Sequence, residues 1–146
     1  MTPRTIVTEA ERRFLMRIRV AHLATADPSG QPHVIPIVFA IDDHKFYTPL
    51  DAKPKRVALT ELKRVRNLIA NPQIAIVVDE YDEDWTRLGW VLVKGRGEIV
   101  ERGEAHAAGV RLLQSKYPQY NVMPLVDRPL IVMTPLGVTS WGALSA

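Results

Sequence analysis

Residues 34–72 read VIPIVFAIDDHKFYTPLDAKPKRVALTELKRVRNLIANP, and their order decides the fold. Two apolar runs, residues 34–41 and 45–50, flank the turn formers Asp42, Asp43 and His44. Short β-branched and aromatic runs separated by turn residues predict a hairpin of buried strands. Residues 53–66 then carry Lys53, Lys55, Arg56, Lys63, Arg64 and Arg66 against a single carboxylate, Glu61. Like charges at that density repel one another unless an anion or solvent receives them. Two readings follow: a phosphate-bearing ligand beside the hairpin, or a solvated helix face.

Working outward, Thr8 and Glu11 make a capping box that predicts a helix through about Ile18. Residues 20–25 form a short strand before the turn Asp27-Pro28-Ser29-Gly30. Apolar residues Val57, Ala58, Leu62, Val65 and Ile69 are spaced as in a helix that stops at Asn71-Pro72. Residues 74–78 and 90–100 read as strands, and Gly95 and Gly97 suggest a bulge or a close backbone approach. A helix over 103–117 precedes a last strand or strand pair at 130–134 and 138–141, interrupted by Pro135 and Gly137. Six or so short strands in meander order with two or three helices predict a mainly β protein, a closed antiparallel barrel with flanking helices.

The 146 residues predict one domain over 1–146, with 47% hydrophobic and 24% charged residues arguing for an ordinary core. The net charge of +3 matters chiefly through its concentration in residues 53–66. With no cysteine, thiolate chemistry, disulfides and cysteine metal sites are excluded. The charged N-terminus has no signal-peptide core, and no run approaches 18 apolar residues, so the expectation is a cytoplasmic protein without a membrane partner. The four histidines are scattered without i, i+4 pairing, and the acidic run from Asp79 to Asp84 lacks calcium-loop spacing, so no metal is expected. No nucleophile elbow or glycine-rich phosphate loop is present. Trp85 and Trp90 read equally as walls of a planar pocket or as interface packing.

The strand–turn–strand ending Phe46-Tyr47-Thr48, the basic segment, Arg64-Val65-Arg66-Asn67-Leu68 and Asn71-Pro72 together resemble the split β-barrel flavin and deazaflavin enzymes. These form the pyridoxamine 5′-phosphate oxidase-like superfamily. The likeness extends from about Val20 to Val100, with Trp141 in keeping, and residues 79–91 resemble a subgroup that uses the deazaflavin coenzyme F420. The resemblance implies a six-stranded, Greek-key-type split barrel, active as a homodimer with cofactor at the subunit interface. It implies that the strand Ile35, Pro36, Ile37, Val38 offers backbone groups to the pyrimidine edge of the ring. It further implies that Tyr47 and Thr48 border the cofactor, that Arg64, with Lys55 and Arg56, holds its phosphate, and that Trp90 reaches it from the partner subunit. The implied function is hydride transfer between F420 and a small organic substrate, with FMN as the alternative cofactor. The additional arginine and histidine residues that hold the substrate phosphate in pyridoxamine phosphate oxidases cannot be placed here, so the substrate stays open. Two readings of another class are a non-enzymatic haem or flavin carrier and, less supported by the modest charge and 7% aromatic content, a single-stranded nucleic-acid binder. The expectation is no nucleic-acid partner.

Overall fold

The computed structural model describes residues 3–50 and 61–144. In chain order the elements are α1 (Glu9–Arg17), β1 (Ala21–Ala26), β2 (Pro32–Ile37), β3 (Ala40–Ile41), β4 (Phe46–Pro49), α2 (Lys63–Ala70), β5 (Gln73–Glu80), β6 (Gly89–Val100), α3 (Glu104–Lys116) and β7 (Leu130–Gly142). Short 3-10 turns occupy Trp85–Arg87 and Pro118–Asn121. The strands make one antiparallel sheet in the order β2-β1-β5-β6-β7-β4-β3, curled into a half-barrel.

Two expectations are corrected. There are seven strands rather than six, because the run 34–41 breaks at Val38 and Phe39 into β2 and β3. At the other end of the chain, the strand or strand pair at 130–141 is one continuous strand, β7, that passes Pro135 through a register shift opposite Lys94 and Gly95. The barrel is also not closed: among the described residues β2 and β3 are the two ends of the sheet and do not pair.

α1 forms as its capping box predicts. Thr8 Oγ1 accepts from the Glu11 N–H at 3.1 Å while Glu11 Oε1 accepts from the Thr8 N–H at 2.8 Å. The helix seats Phe14 and Leu15, both fully buried, in the concave side of the sheet, where each such side chain contributes roughly 2 kcal/mol. That core continues through Leu23, Phe39, Ile76, Val93 and Met133. A second core packs Val110 and Leu113 of α3 against Tyr47, Leu130 and Val132. The convex face alternates outward, as the period of two dictates, and carries Val34, Leu92, Trp90 and Trp141 in exposed or half-buried positions. No helix among the described residues is long and apolar enough to cross a membrane.

Candidate functional site

A cleft of about 500 Å³ opens beside the free edge of β2. Six of the residues singled out from sequence line it: Ile35, Pro36, Ile37 and Val38 from the β2 edge, Thr48 from β4, and Arg64 from α2. Val20, Pro49 and Tyr120 complete the lining.

The β2 edge is built for backbone recognition. Pro36 lacks an N–H, so in an edge strand its nitrogen turns away from the neighbouring strand. Its carbonyl points the same way. A backbone acceptor therefore stands on the open edge. Thr48, only 3% exposed, donates its hydroxyl to the Val38 carbonyl at 2.8 Å and so joins β4 to the end of β2 across the cleft. With its one hydrogen committed, Thr48 Oγ1 meets any ligand as an acceptor.

α2 delivers the positive charge. Val65 and Leu68 bury against the sheet, and Asn67, 1% exposed, donates from Nδ2 to Thr25 Oγ1 of β1 at 3.0 Å. This anchoring fixes the direction of the first helical turn, where Lys63 and Arg64 sit. The turn holds no acidic residue, and no described side chain caps its N–H groups. A helix start of that kind favours an anion through its dipole. Lys63 approaches Asp27 at 3.8 Å, and Arg64 is the α2 cation in the cleft lining.

The other predicted residues lie elsewhere. Lys55 and Arg56, with Lys53, fall outside the described residues. Tyr47 does not line the cleft: it faces α3, is 3% exposed, and donates its hydroxyl to Asp42 Oδ2 at 2.6 Å. Burial, then the Asp42 carboxylate, push the Tyr47 phenol well above its ordinary pKa, so it stays protonated. Trp90 lies half-buried on the convex face of β6, opposite Asp79 and Trp141, away from the cleft of its own chain. The acidic segment turns on itself: Asp84 accepts from the Thr86 N–H and hydroxyl and meets Arg87 at 3.7 Å. Among the described residues no group of three His, Cys, Asp or Glu is arranged to hold a metal ion. A second hollow of about 520 Å³ on the convex face, flanked by Lys94 and Arg96, contains none of the predicted residues.

Sequence reasoning missed Val20, Pro49 and Tyr120. Val20 lies one step beyond the last β1–β2 pair, Ala21 with Ile37, and so faces Val38. Recognising that register would have found it. Tyr120 follows Pro118 in a 3-10 turn, and nothing in its local pattern points to the cleft.

The family model described as pyridoxamine 5′-phosphate oxidase matches residues 7–142. No curated protein sequence matches. Among solved structures, the conserved hypothetical protein Rv2991 from Mycobacterium tuberculosis is 25% identical with a TM-score of 0.72, over 97% of this chain and 89% of that one. An F420 reductase is 28% identical with a TM-score of 0.65, over 91% of this chain and 98% of its own. The heme storage protein HutZ from Vibrio cholerae has a TM-score of 0.70 over 92% of this chain and 94% of its own. Its 19% identity shows a shared fold alone.

Proposed function

The chain belongs to the pyridoxamine 5′-phosphate oxidase family, and on that premise we propose that it is an oxidoreductase that binds coenzyme F420 in the β2-edge cleft. Its reaction is hydride transfer to or from a small organic substrate. The observation that carries this reading is the convergence of the β2 backbone edge, the Thr48 oxygen and Arg64 on one cleft. A cleft of about 500 Å³ falls within the range of roughly 300–1,000 Å³ that buries a ligand of this size. Ile35 and Ile37 supply apolar wall, the Pro36 carbonyl and the Val38 N–H would pair with a ring edge, and Arg64 would neutralise a phosphate through its planar fork. Lys55 and Arg56 belong to the same proposal as further cations. When bound, the deazaflavin would supply the hydride chemistry, as donor or acceptor; the protein binds, orients and shields it. The 28% identity to an F420 reductase favours the deazaflavin over FMN.

The active form in this proposal is a homodimer, with the convex sheet face covered by a second copy and Trp90 reaching the partner's cleft. Sedimentation should then give twice the 16.4 kDa chain mass. Replacing the half-buried Leu92 at the centre of that face with glutamate should return a monomer. A monomeric wild type would remove Trp90 from the site.

Purified protein titrated with F420 and with FMN, followed by fluorescence, tests the cofactor. Micromolar binding of FMN with none of F420 would reverse the order of the two. A haem carrier remains the reading of another class, since HutZ shares the fold. No histidine lines the cleft among the described residues, and an absorbance titration in which haem binds and neither flavin nor deazaflavin does would replace the enzyme with a carrier. Arg64→Ala should weaken cofactor binding by about 1.5–3 kcal/mol, roughly ten- to more than a hundred-fold in Kd. Unchanged affinity in that variant would place the phosphate elsewhere.

A further inference from the structure

Three parts of the cleft converge on one hydroxyl outside it. Val20 and Val38 line the cleft where the pairing of β1 with β2 ends, and Tyr120 lines it from the 3-10 turn after α3. Arg19 and Phe39 are the chain neighbours of Val20 and Val38. Both are held by Tyr117, the C-cap residue of α3. The Phe39 N–H donates to the Tyr117 hydroxyl at 3.1 Å, and that hydroxyl donates to the Arg19 carbonyl at 2.8 Å, with the Phe39 carbonyl a second acceptor at 3.1 Å. The Tyr117 ring meets Tyr120 edge-on, centroids 6.2 Å apart, and lies 4.5 Å beneath the Arg19 guanidinium.

The need for such a contact follows from the break between β2 and β3. Phe39 has no exposed surface and lies outside both strands. Its N–H and C=O therefore lack ladder partners in the place where an unpaired polar group costs most. A single phenolic oxygen accepts from the Phe39 N–H and shares its one hydrogen between the Arg19 and Phe39 carbonyls, which ties residue 39 to residue 19. Thr48 holds the adjacent Val38 carbonyl from the other side. The backbone at residues 38 and 39 is thus held by two side-chain hydroxyls rather than by a continuing strand.

We propose that Tyr117 is a positioning residue: its hydroxyl fixes the backbone around Val20 and Val38 so that the Pro36 carbonyl and the Val38 N–H stand ready for the ring edge of the cofactor. This rests on the cleft being the cofactor site. Tyr117 touches no ligand itself and acts through Phe39, Arg19 and Tyr120. The start of α2 has a support of its own, the bond from Asn67 to Thr25 of β1, so the ring and phosphate ends of the site need not loosen together.

That independence supplies the test. Tyr117→Phe keeps every ring contact and removes only the hydroxyl. Its affinity for the cofactor that the wild type binds, F420 or FMN, should fall about ten-fold, and the absorption band of the bound ring should shift. Inorganic phosphate, measured as a competitor, should bind as in the wild type. Equal cofactor affinity in the variant, or a matching loss of phosphate affinity, overturns the inference, because a general loosening would weaken both ligands alike. A second measurement needs no variant: in the wild type, F420 should slow hydrogen exchange at the Phe39 amide and phosphate should not, and an equal response to both also overturns it. If the wild type binds neither F420 nor FMN, the cofactor reading falls first and this inference with it. Binding by the wild type with an indifferent Tyr117→Phe removes the inference alone.

Discussion

Arg4→Ala is expected to cost about 3 kcal/mol of folding stability, seen as a fall of roughly 10 °C in melting temperature. Arg4 grips Glu11 with both ends of its guanidinium, at 2.6 and 2.8 Å. Glu11 is 1% exposed in the first turn of α1, so removing the cation strands a carboxylate inside the protein. Arg4 itself is 41% exposed and screened by solvent, which argues for the lower end of the roughly 3–5 kcal/mol attached to broken buried pairs. The pH dependence identifies the mechanism. Burial alone would raise the Glu11 carboxyl, but hydrogen bonds from Arg4, Ser140 and Thr8, together with the Arg4 charge, hold it down at about 2. Its ordinary value is 4.5, so the stability it contributes is fully present above that pH and is lost as pH falls through about 2. In Arg4→Ala the carboxyl rises, and the variant's deficit should shrink between pH 5 and pH 2. Thermal melts across that range decide it: a deficit as large at pH 2 as at pH 7 would mean that the lost stability comes from packing and not from the ion pair.

The capping box of α1 shows what short-range pattern can reveal. Thr8 and Glu11 are three residues apart, both hydrogen bonds are local, and four letters suffice to predict them. Arg4 completes the same motif from seven residues away, with no periodicity to announce it. The end of α2 before Pro72 and the hairpin before residue 50 were legible for the same local reason. The break at Val38 and Phe39 was not. Both are strong strand formers, and the hydroxyl that holds the broken segment comes from 78 positions along the chain. Distance in sequence also hid Tyr120.

The candidate site divides along the same line. Ile35, Pro36, Ile37, Val38, Thr48 and Arg64 surround one cleft because an edge strand, a hairpin and a helix start are each locally encoded. Tyr47 was grouped with Thr48, yet neighbours on a strand face opposite ways. The structure turns Thr48 to the cleft and Tyr47 to α3. Applying the period of two within the pair would have separated them.

Gly95→Ala should destabilise the protein by about 3 kcal/mol, the upper part of the usual overpacking range. Gly95 sits at the register shift where β6 crosses from Lys94 opposite Gly137 to Gly95 opposite Pro135. A Cβ there would lie 2.3 Å from the Thr134 carbonyl oxygen and 2.9 Å from the Met133 methyl. The methyl can rotate aside, but the carbonyl is backbone within the longest strand pair, so the strands themselves must part. Restricting the unfolded chain returns less than about 1 kcal/mol. Gly137, on the other side of the same irregularity, is the control: its added Cβ would meet only Pro3 at 3.6 Å, an ordinary contact. Gly137→Ala should therefore melt close to the wild type, and equal melting of the two variants would show that the strand spacing at the shift is not as tight as described. The consequence extends to the cleft. An irregularity of this kind bends and twists the strands that carry it, and the curl of β6 and β7 swings β4 round until Thr48 reaches the Val38 carbonyl. Gly95→Ala should then weaken the proposed cofactor binding as well as folding, whereas Gly137→Ala should leave both near their wild-type values.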